Sequence, residues 1–157
     1  MTLSGKTLSP GLGEGQIFVY RDIMNRFDEF YDIDDTQIEP ELKRLDRALA
    51  RISDDLSVLA GRVEAEIDSE LSGVFHAHLA MVQDASLRAE AEKEIKDELV
   101  SAGSAVRTVF RRWERRFQSM DAEVSRQKGD DMRDLARRLV SALAGVHAHA
   151  LANLPRG

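Results

Sequence analysis

The sequence predicts a mainly α-helical protein, a four-helix up-down bundle with a kinked second helix, preceded by two short strands. Apolar residues recur at alternating spacings of three and four along most of the chain, which is the period of an amphipathic helix. Aromatic residues make up only 6% of the sequence, which favours helices over a β-sandwich. The length of 157 residues suits one domain with a sizeable core.

Residues 1–35 are predicted to form two strands and a connector. Segments 3–8 and 16–20 flank the turn SPGLGEG, and the second segment, QIFVY, is rich in residues that favour strands. Two strands do not make a stable sheet by themselves, so we expect them to need further strands as partners. Phosphate-binding glycine loops lead from a strand into a helix, so a plain turn is the preferred interpretation of SPGLGEG.

The longest helix is predicted over residues 36–67. Thr36 followed by Glu39 predicts a capping box at its start, and Pro40 falls in the first turn, where proline is tolerated. A helix of about 45 Å with one apolar stripe must pack against other helices. The stripe consists of Ile38, Leu42, Leu45, Leu49, Ile52, Leu56, Leu59, Val63 and Ile67.

Three more helices follow. The second carries apolar residues from Leu71 to Val82 and is expected to kink or break near Asp84, beyond which the period resumes on a shifted face. The third runs from about Gly103 to Met120, and the fourth carries Met132 to Leu143 and ends near Gly145. Residues 36–145 are therefore predicted as one helical unit, and residues 146–157, which contain a proline, as a linker.

The overall charge limits the classes of partner. A net charge of -6 argues against general affinity for nucleic acid or anionic lipid. The absence of cysteine excludes disulfides and thiolate chemistry. No stretch is long and apolar enough for a membrane span, and the first residues lack the apolar core of a signal peptide, so a cytoplasmic location is predicted.

One local basic cluster departs from this acidic balance. Five arginines surround Trp113, and a nucleic-acid contact is one interpretation of them. A solvated helix face is preferred because the spacing mixes two faces and Glu114 interrupts the run. The arginines are Arg107, Arg111, Arg112, Arg115 and Arg116.

The histidines do not predict a metal site. His76 and His78 are two residues apart, so on a helix their side chains point about 200° away from each other. The same geometry separates His147 from His149 if they are helical. No glutamate lies three residues before any of the four histidines, so the Glu-x-x-His pairs of a di-iron bundle are absent.

Three motifs together carry a family resemblance. They are Ser9-Pro10-Gly11 with Gly15, the run VFHAHLAMVQD that contains Phe75-x-x-His78 and ends at Asp84, and Asp131-x-Arg133-Asp134-Leu135 in the last helix. In this order and spacing they resemble the amino-terminal region of enzyme I, the phosphoenolpyruvate-protein phosphotransferase of the bacterial sugar-uptake system. The resemblance implies that residues 36–145 correspond to a helical subdomain that docks the phosphocarrier HPr. The first 20 residues would open an incomplete α/β subdomain.

The resemblance also implies a set of contact residues for the carrier. Positions that are usually acidic in the family are here Ser69, His76, Ala85 and Ser86, so charge complementarity with the carrier is thinner. A sugar, nitrogen-related or dihydroxyacetone-kinase-type carrier is compatible with this surface. The implied contact residues are Glu70, His76, His78, Ala80, Met81, Leu87 and Lys128.

No catalytic residue is predicted. The family's phosphoacceptor lies after the helical subdomain in a glycine-rich stretch with a Thr-Ser-His-like sequence, and none of the four histidines here matches it. We expect no cofactor in this chain, Mg²⁺ and phosphoenolpyruvate in the parent enzyme, and no activity of the chain alone. The predicted function is a docking module for an HPr-like carrier, with a dimer through residues 3–20 as a further expectation. The alternative is a structural or adaptor helical bundle without a role in phosphotransfer.

Overall fold

The structure, a computed structural model, describes residues 27–67, 69–120 and 122–145. Their only β-pairing is an isolated antiparallel bridge between Asp32 and Val100. The predicted strands within residues 3–20 and the predicted linker 146–157 lie outside these ranges. The described residues form five helices, α1 Ile38–Glu66, α2 Ser69–Val82, α3 Ala85–Glu98, α4 Ala102–Gln118 and α5 Glu123–Leu143.

The predicted number of four helices is not confirmed, because the second predicted helix is divided in two near Asp84, where a kink or break was expected. Gln83 and Asp84 separate α2 from α3. Asp84 has an extended backbone, and its carboxylate accepts a hydrogen bond from the Ser86 N–H at 2.7 Å. An aspartate in this conformation satisfies a free N–H at the start of a new helix, so the chain breaks here rather than kinking.

The start of α1 also differs from the prediction. A short 3₁₀ turn, Asp35–Gln37, precedes it, and the capping box is made by Asp34 with Gln37. The Asp34 carboxylate accepts from the Thr36 N–H at 2.8 Å, and the Gln37 side chain accepts from the Asp34 N–H at 3.0 Å. Glu39 is thus free of the cap and lies 3.5 Å from Lys43, an exposed ion pair.

The helices form a bundle in which α1 packs mainly on α2, and α4 packs mainly on α5. α3 packs mainly on α4 and also contacts α1. The buried positions of α1 are Leu45, Ile52 and Leu56 of the predicted stripe together with Glu41, Ala48 and Ala60. The predicted stripe loses contact toward the end of α1, where the side chain of Ile67 is 69% exposed.

The connector before α1 is fastened to the turn between α3 and α4. Ile33 N–H donates to the Leu99 carbonyl at 2.8 Å, and Ser101 N–H donates to the Tyr31 carbonyl at 2.9 Å. Leu99 has a positive φ of 51°, which ends α3 and turns its carbonyl toward the connector. The pairing fixes residues 29–34 against the bundle.

The packing of the connector on α4 requires a glycine at position 103, in the first turn of α4. A Cβ on Gly103 would stand 2.4 Å from the carbonyl oxygen of Glu29. Ser101 caps α4 by accepting from the Ser104 N–H, and its hydroxyl donates to the same Glu29 carbonyl at 2.8 Å. The connector therefore packs directly on the backbone of α4.

Candidate docking site on the second helix

The second helix has almost no charge. The segment from Leu71 to Val82, LSGVFHAHLAMV, contains no Asp, Glu, Lys or Arg, although one side of the helix faces solvent. Val74 is 45% exposed, and Gly73, Ala77 and Ala80 are also exposed. A surface helix of a globular protein normally carries charged residues on its outer face. Apart from His76, the outer face of α2 is instead small and apolar, which is typical of a surface that contacts a partner.

His78 anchors α2 to α5. Its side chain is 7% exposed, and its Nε2 lies 2.9 Å from Oδ1 of Asp131. Its Nδ1 is buried and has no hydrogen-bond partner within the described residues. For the neutral ring, this geometry favours the tautomer that carries the proton on Nε2 and donates it to the carboxylate.

His76 lies on the outer side of α2. Its side chain is 56% exposed, and its Nε2 is 3.9 Å from a carboxylate oxygen of Glu64 on α1. His76 and His78 therefore point in different directions, as the helix geometry predicts. Among the described residues, no group of three or more His, Asp or Glu side chains is close enough to hold a metal ion.

The remaining predicted contact residues divide between surface and core. Ala80 is exposed, and Met81 is half-buried with its side chain packed against the core. Leu87 is buried at 4% exposure among the core residues of α3. The side chain of Leu87 therefore packs in the core and offers no surface to a partner in this structure.

Two charged residues complete the predicted set. Lys128 is exposed on α5, one turn before Asp131, and its Nζ lies 6.0 Å from the centre of the Phe117 ring. The hydrogen bond between His78 and Asp131 holds this part of α5 beside α2, so Lys128 lies near the α2 surface. Glu70 belongs to α2, but its side chain lies outside the described residues.

A cluster of buried charges lies at the opposite end of the bundle, where α1 and α4 begin. Glu41 is 5% exposed, and its carboxylate accepts hydrogen bonds from Ala102 N–H and Tyr31 O–H, both at 2.8 Å. Arg44 donates to both oxygens of Glu41 at 2.9 Å, and also to Glu29 at 2.9 Å.

These contacts set the protonation of the cluster. Burial opposes ionisation of Glu41, but the hydrogen bonds from Ala102, Tyr31 and Arg44 outweigh it and lower the pKa of the carboxyl group. Burial and the bond to Glu41 raise the pKa of Tyr31. Arg44 also donates to the Leu143 carbonyl at the end of α5 at 3.2 Å, so the cluster joins three helices and the connector. Its role is structural.

Sequence reasoning missed two features of the α2 surface. Asp131 belongs to one of the three motifs, but the sequence predicted no role for it. Its contact with His78 joins positions 53 residues apart, which a local sequence pattern does not reveal. The exposure of Val74 was also missed, because an apolar residue in a helical period is expected in the core. The absence of charged residues from Leu71 to Val82 can be seen in the sequence alone, and it is the signal that could have identified this surface.

The fold is that of known enzyme I N-terminal domains. A solution structure of Enzyme I superposes with a TM-score of 0.74 at 27% sequence identity, over 81% of this chain and 51% of that one. A structure of the N-terminal domain of Enzyme 1 - Nitrogen superposes with a TM-score of 0.73 over 83% of this chain and 53% of that one. Its identity of 23% makes it evidence for the fold alone.

Sequence comparison gives the family. The family described as PEP-utilising enzyme, N-terminal, matches residues 4–128, so the chain belongs to this family. It is 30% identical over 112 residues to the phosphoenolpyruvate-protein phosphotransferase of Priestia megaterium, covering 71% of this chain and 20% of that protein. The enzyme of Listeria monocytogenes is 30% identical over 111 residues, covering 71% and 19%. The chain thus spans about a fifth of the length of these relatives.

No helix within the described ranges combines the length and the apolar character needed to cross a membrane.

Proposed function

We propose that this chain is the carrier-docking part of an enzyme I-type phosphotransferase, and that the outer face of α2 receives an HPr-like phosphocarrier. The observation that carries the proposal is the uncharged outer face of α2, formed by Gly73, Val74, Ala77 and Ala80. The family membership supports it, because the relatives are named phosphoenolpyruvate-protein phosphotransferases, enzymes whose phosphate acceptor is a protein. Interface centres are depleted in charge and rich in apolar contact, as this face is.

The contact surface that we propose is smaller than the predicted set of residues. His76, Ala80 and Lys128 have exposed side chains and can touch a partner directly, and the half-buried Met81 can contribute apolar area at the edge. His78 and Leu87 are buried and would not touch the carrier. Their role would be to hold α2 and α3 in position. Glu70 would pair with a basic group of the carrier.

The proposed role requires no phosphoacceptor in the described residues. Of the two histidines described, His78 is buried and bound to a carboxylate, whereas His76 is exposed beside Glu64. Neither lies in a glycine-rich loop of the kind expected for the reactive histidine. We therefore propose that the chain binds the carrier and that phosphotransfer chemistry belongs to other residues of the parent enzyme.

The test places a charge at the centre of the face. Ala80→Arg inserts a guanidinium into the apolar surface, where it would lose water on docking without a partner. Ala50→Arg is the matched control, since Ala50 is also an exposed alanine of a long helix but lies on α1. Binding of the HPr-like carrier of the same organism is measured by calorimetry.

We expect Ala80→Arg to weaken carrier binding at least tenfold, about 1.4 kcal/mol, while Ala50→Arg changes it less than twofold. Equal affinities of both variants would place the interface elsewhere on the chain. Absence of measurable binding of the unmodified chain at millimolar carrier would favour the adaptor bundle instead.

A further inference from the structure

A groove beside α4 is lined by four arginines. It has a volume of about 630 Å³ and is bounded on the α3 side by Glu90. Within the groove, Trp113 lies between the arginines of α4. The four are Arg111, Arg112, Arg115 and Arg116. The carrier-docking proposal uses none of these residues.

Only part of this positive charge is neutralised within the protein. Arg112 binds Glu90 at 3.3 Å and Glu94 at 3.2 Å, and the Trp113 N–H donates to Glu90 at 3.2 Å. The charge of Arg112 is therefore balanced by two glutamates of α3. Glu90 has both carboxylate oxygens engaged by these two contacts.

The other arginines of the groove have no acidic partner in the part of the chain that the structure describes. Arg116 lies with its guanidinium 5.2 Å from the centre of the Trp113 ring, which is a cation–π contact. Arg111 and Arg115 are exposed, and neither makes an ion pair with a described residue. Three of the four groove arginines thus have no carboxylate partner among the described residues.

The spacing of these arginines is unfavourable for the isolated helix. Arg107, Arg111 and Arg115 follow one another at intervals of four residues, and like charges at this spacing on a helix repel each other. Arg107 is stacked 3.7 Å from the centre of the Phe30 ring, and burial together with the charge of Arg111 lowers its pKa. A bound anion would offset this repulsion, because each guanidinium group would be attracted to it.

We propose that the arginine groove binds a small phosphate-bearing anion with at least two negative charges. Guanidinium groups present paired N–H donors that match phosphate oxygens. The volume lies within the usual range for small-molecule sites, about 300–1,000 Å³. The proposal is independent of carrier docking, since it rests on α4 and the edge of α3.

A small anion fits the surface better than a nucleic acid does. The basic cluster occupies a few turns of one helix, and the whole chain carries a net charge of -6. A long phosphate backbone would extend beyond the few turns that carry the arginines, onto a protein whose overall charge is negative. A compact anion meets the arginines alone.

The test uses inorganic tripolyphosphate as the probe and calorimetry at about 50 mM salt, where screening is moderate. The variant Arg111→Gln/Arg115→Gln removes two charges from the groove. The control Lys43→Gln/Arg62→Gln removes two charges from exposed positions of α1 outside the groove. All four side chains are exposed, and circular dichroism checks that each variant is folded.

We expect submillimolar binding to the unmodified chain, at least tenfold weaker binding to the groove variant, and less than a twofold change in the control. Equal losses in both variants would mean general charge attraction and would overturn the proposal. A dissociation constant above about 1 mM for the unmodified chain would also overturn it. A ten-nucleotide single strand that binds more tightly than tripolyphosphate, and depends on the same arginines, would also overturn it in favour of a nucleic-acid site.

Discussion

Replacing Glu41 by glutamine tests the buried charge cluster that joins the connector to the bundle. One carboxylate oxygen accepts from the Ala102 N–H and Arg44, and the other accepts from Tyr31 and Arg44. Glutamine has a single acceptor oxygen, so its NH₂ group must face donors on one side. Tyr31 can reverse its hydroxyl and accept from that group, but Arg44 loses its bidentate partner.

The magnitude follows from these lost contacts. Removing one partner of a buried ion pair costs about 3–5 kcal/mol, and glutamine restores part of this through its oxygen and its NH₂ group. We therefore expect Glu41→Gln to lower the free energy of unfolding by about 3 kcal/mol. For a domain of this size this corresponds to a fall in the melting temperature of roughly 10 °C.

The assay is urea denaturation followed by circular dichroism at pH 7, with Glu39→Gln as the control. Glu39 lies in the same first turn of α1, but its side chain is 69% exposed and pairs only with Lys43. Exposed pairs of this kind contribute little, so the control is expected to change stability by less than about 0.5 kcal/mol. Equal effects of the two substitutions would refute the argument.

The pH dependence gives a second check on Glu41. Because the folded protein lowers the pKa of Glu41 below its ordinary value of 4.5, the stabilisation is fully present above that value. It is lost as the pH falls through the lower pKa of the folded state. The difference between the unmodified chain and Glu41→Gln should therefore shrink as the pH is lowered below about 4.5. A difference that stays constant from pH 7 to pH 3 would contradict this.

Three further predictions follow from local geometry. Gly103→Ala should destabilise the fold by about 1–3 kcal/mol or more, since its Cβ would stand 2.4 Å from the Glu29 carbonyl oxygen. Gly73 is exposed and has open space around it, so Gly73→Ala should raise the melting temperature slightly. Leu87→Ala should lower the free energy of unfolding by about 2–5 kcal/mol, and a loss below 1 kcal/mol would mean that Leu87 is not a core residue. Nitrogen chemical shifts of the neutral His78 ring should show the proton on Nε2; a proton on Nδ1 would contradict the bond to its carboxylate partner.

The helices were predictable because their evidence is local. The period of apolar residues gave α1, α4 and α5, and Gly145 marked the end of α5, where it has a positive φ of 67°. The cap of α1 was placed wrongly because two capping patterns overlap there. Asp34 with Gln37 prevails since it begins a 3₁₀ turn that runs into the helix.

The functional surface was only partly predictable, because it depends on tertiary contacts. Glu41 has the sequence signature of a solvent-facing glutamate. Its burial depends on Tyr31 in the connector and on Ala102 at the start of α4, which lie 10 and 61 residues away along the chain. His78 and Leu87 face inward for the same reason, since only the packed helices decide which side of α2 and α3 is covered. The lack of charge on α2 is the part of the surface that the sequence alone contains.

Docking of a phosphocarrier on α2 is tested most directly by a nitrogen-15 NMR titration of this chain with its HPr-like carrier. We predict that the amide signals of His76, Ala80, Met81 and Lys128 shift progressively and saturate. The signals of Arg111 and its neighbours on α4 should stay in place. Saturating shifts confined to other helices, or no shifts at a large excess of carrier, would contradict the account.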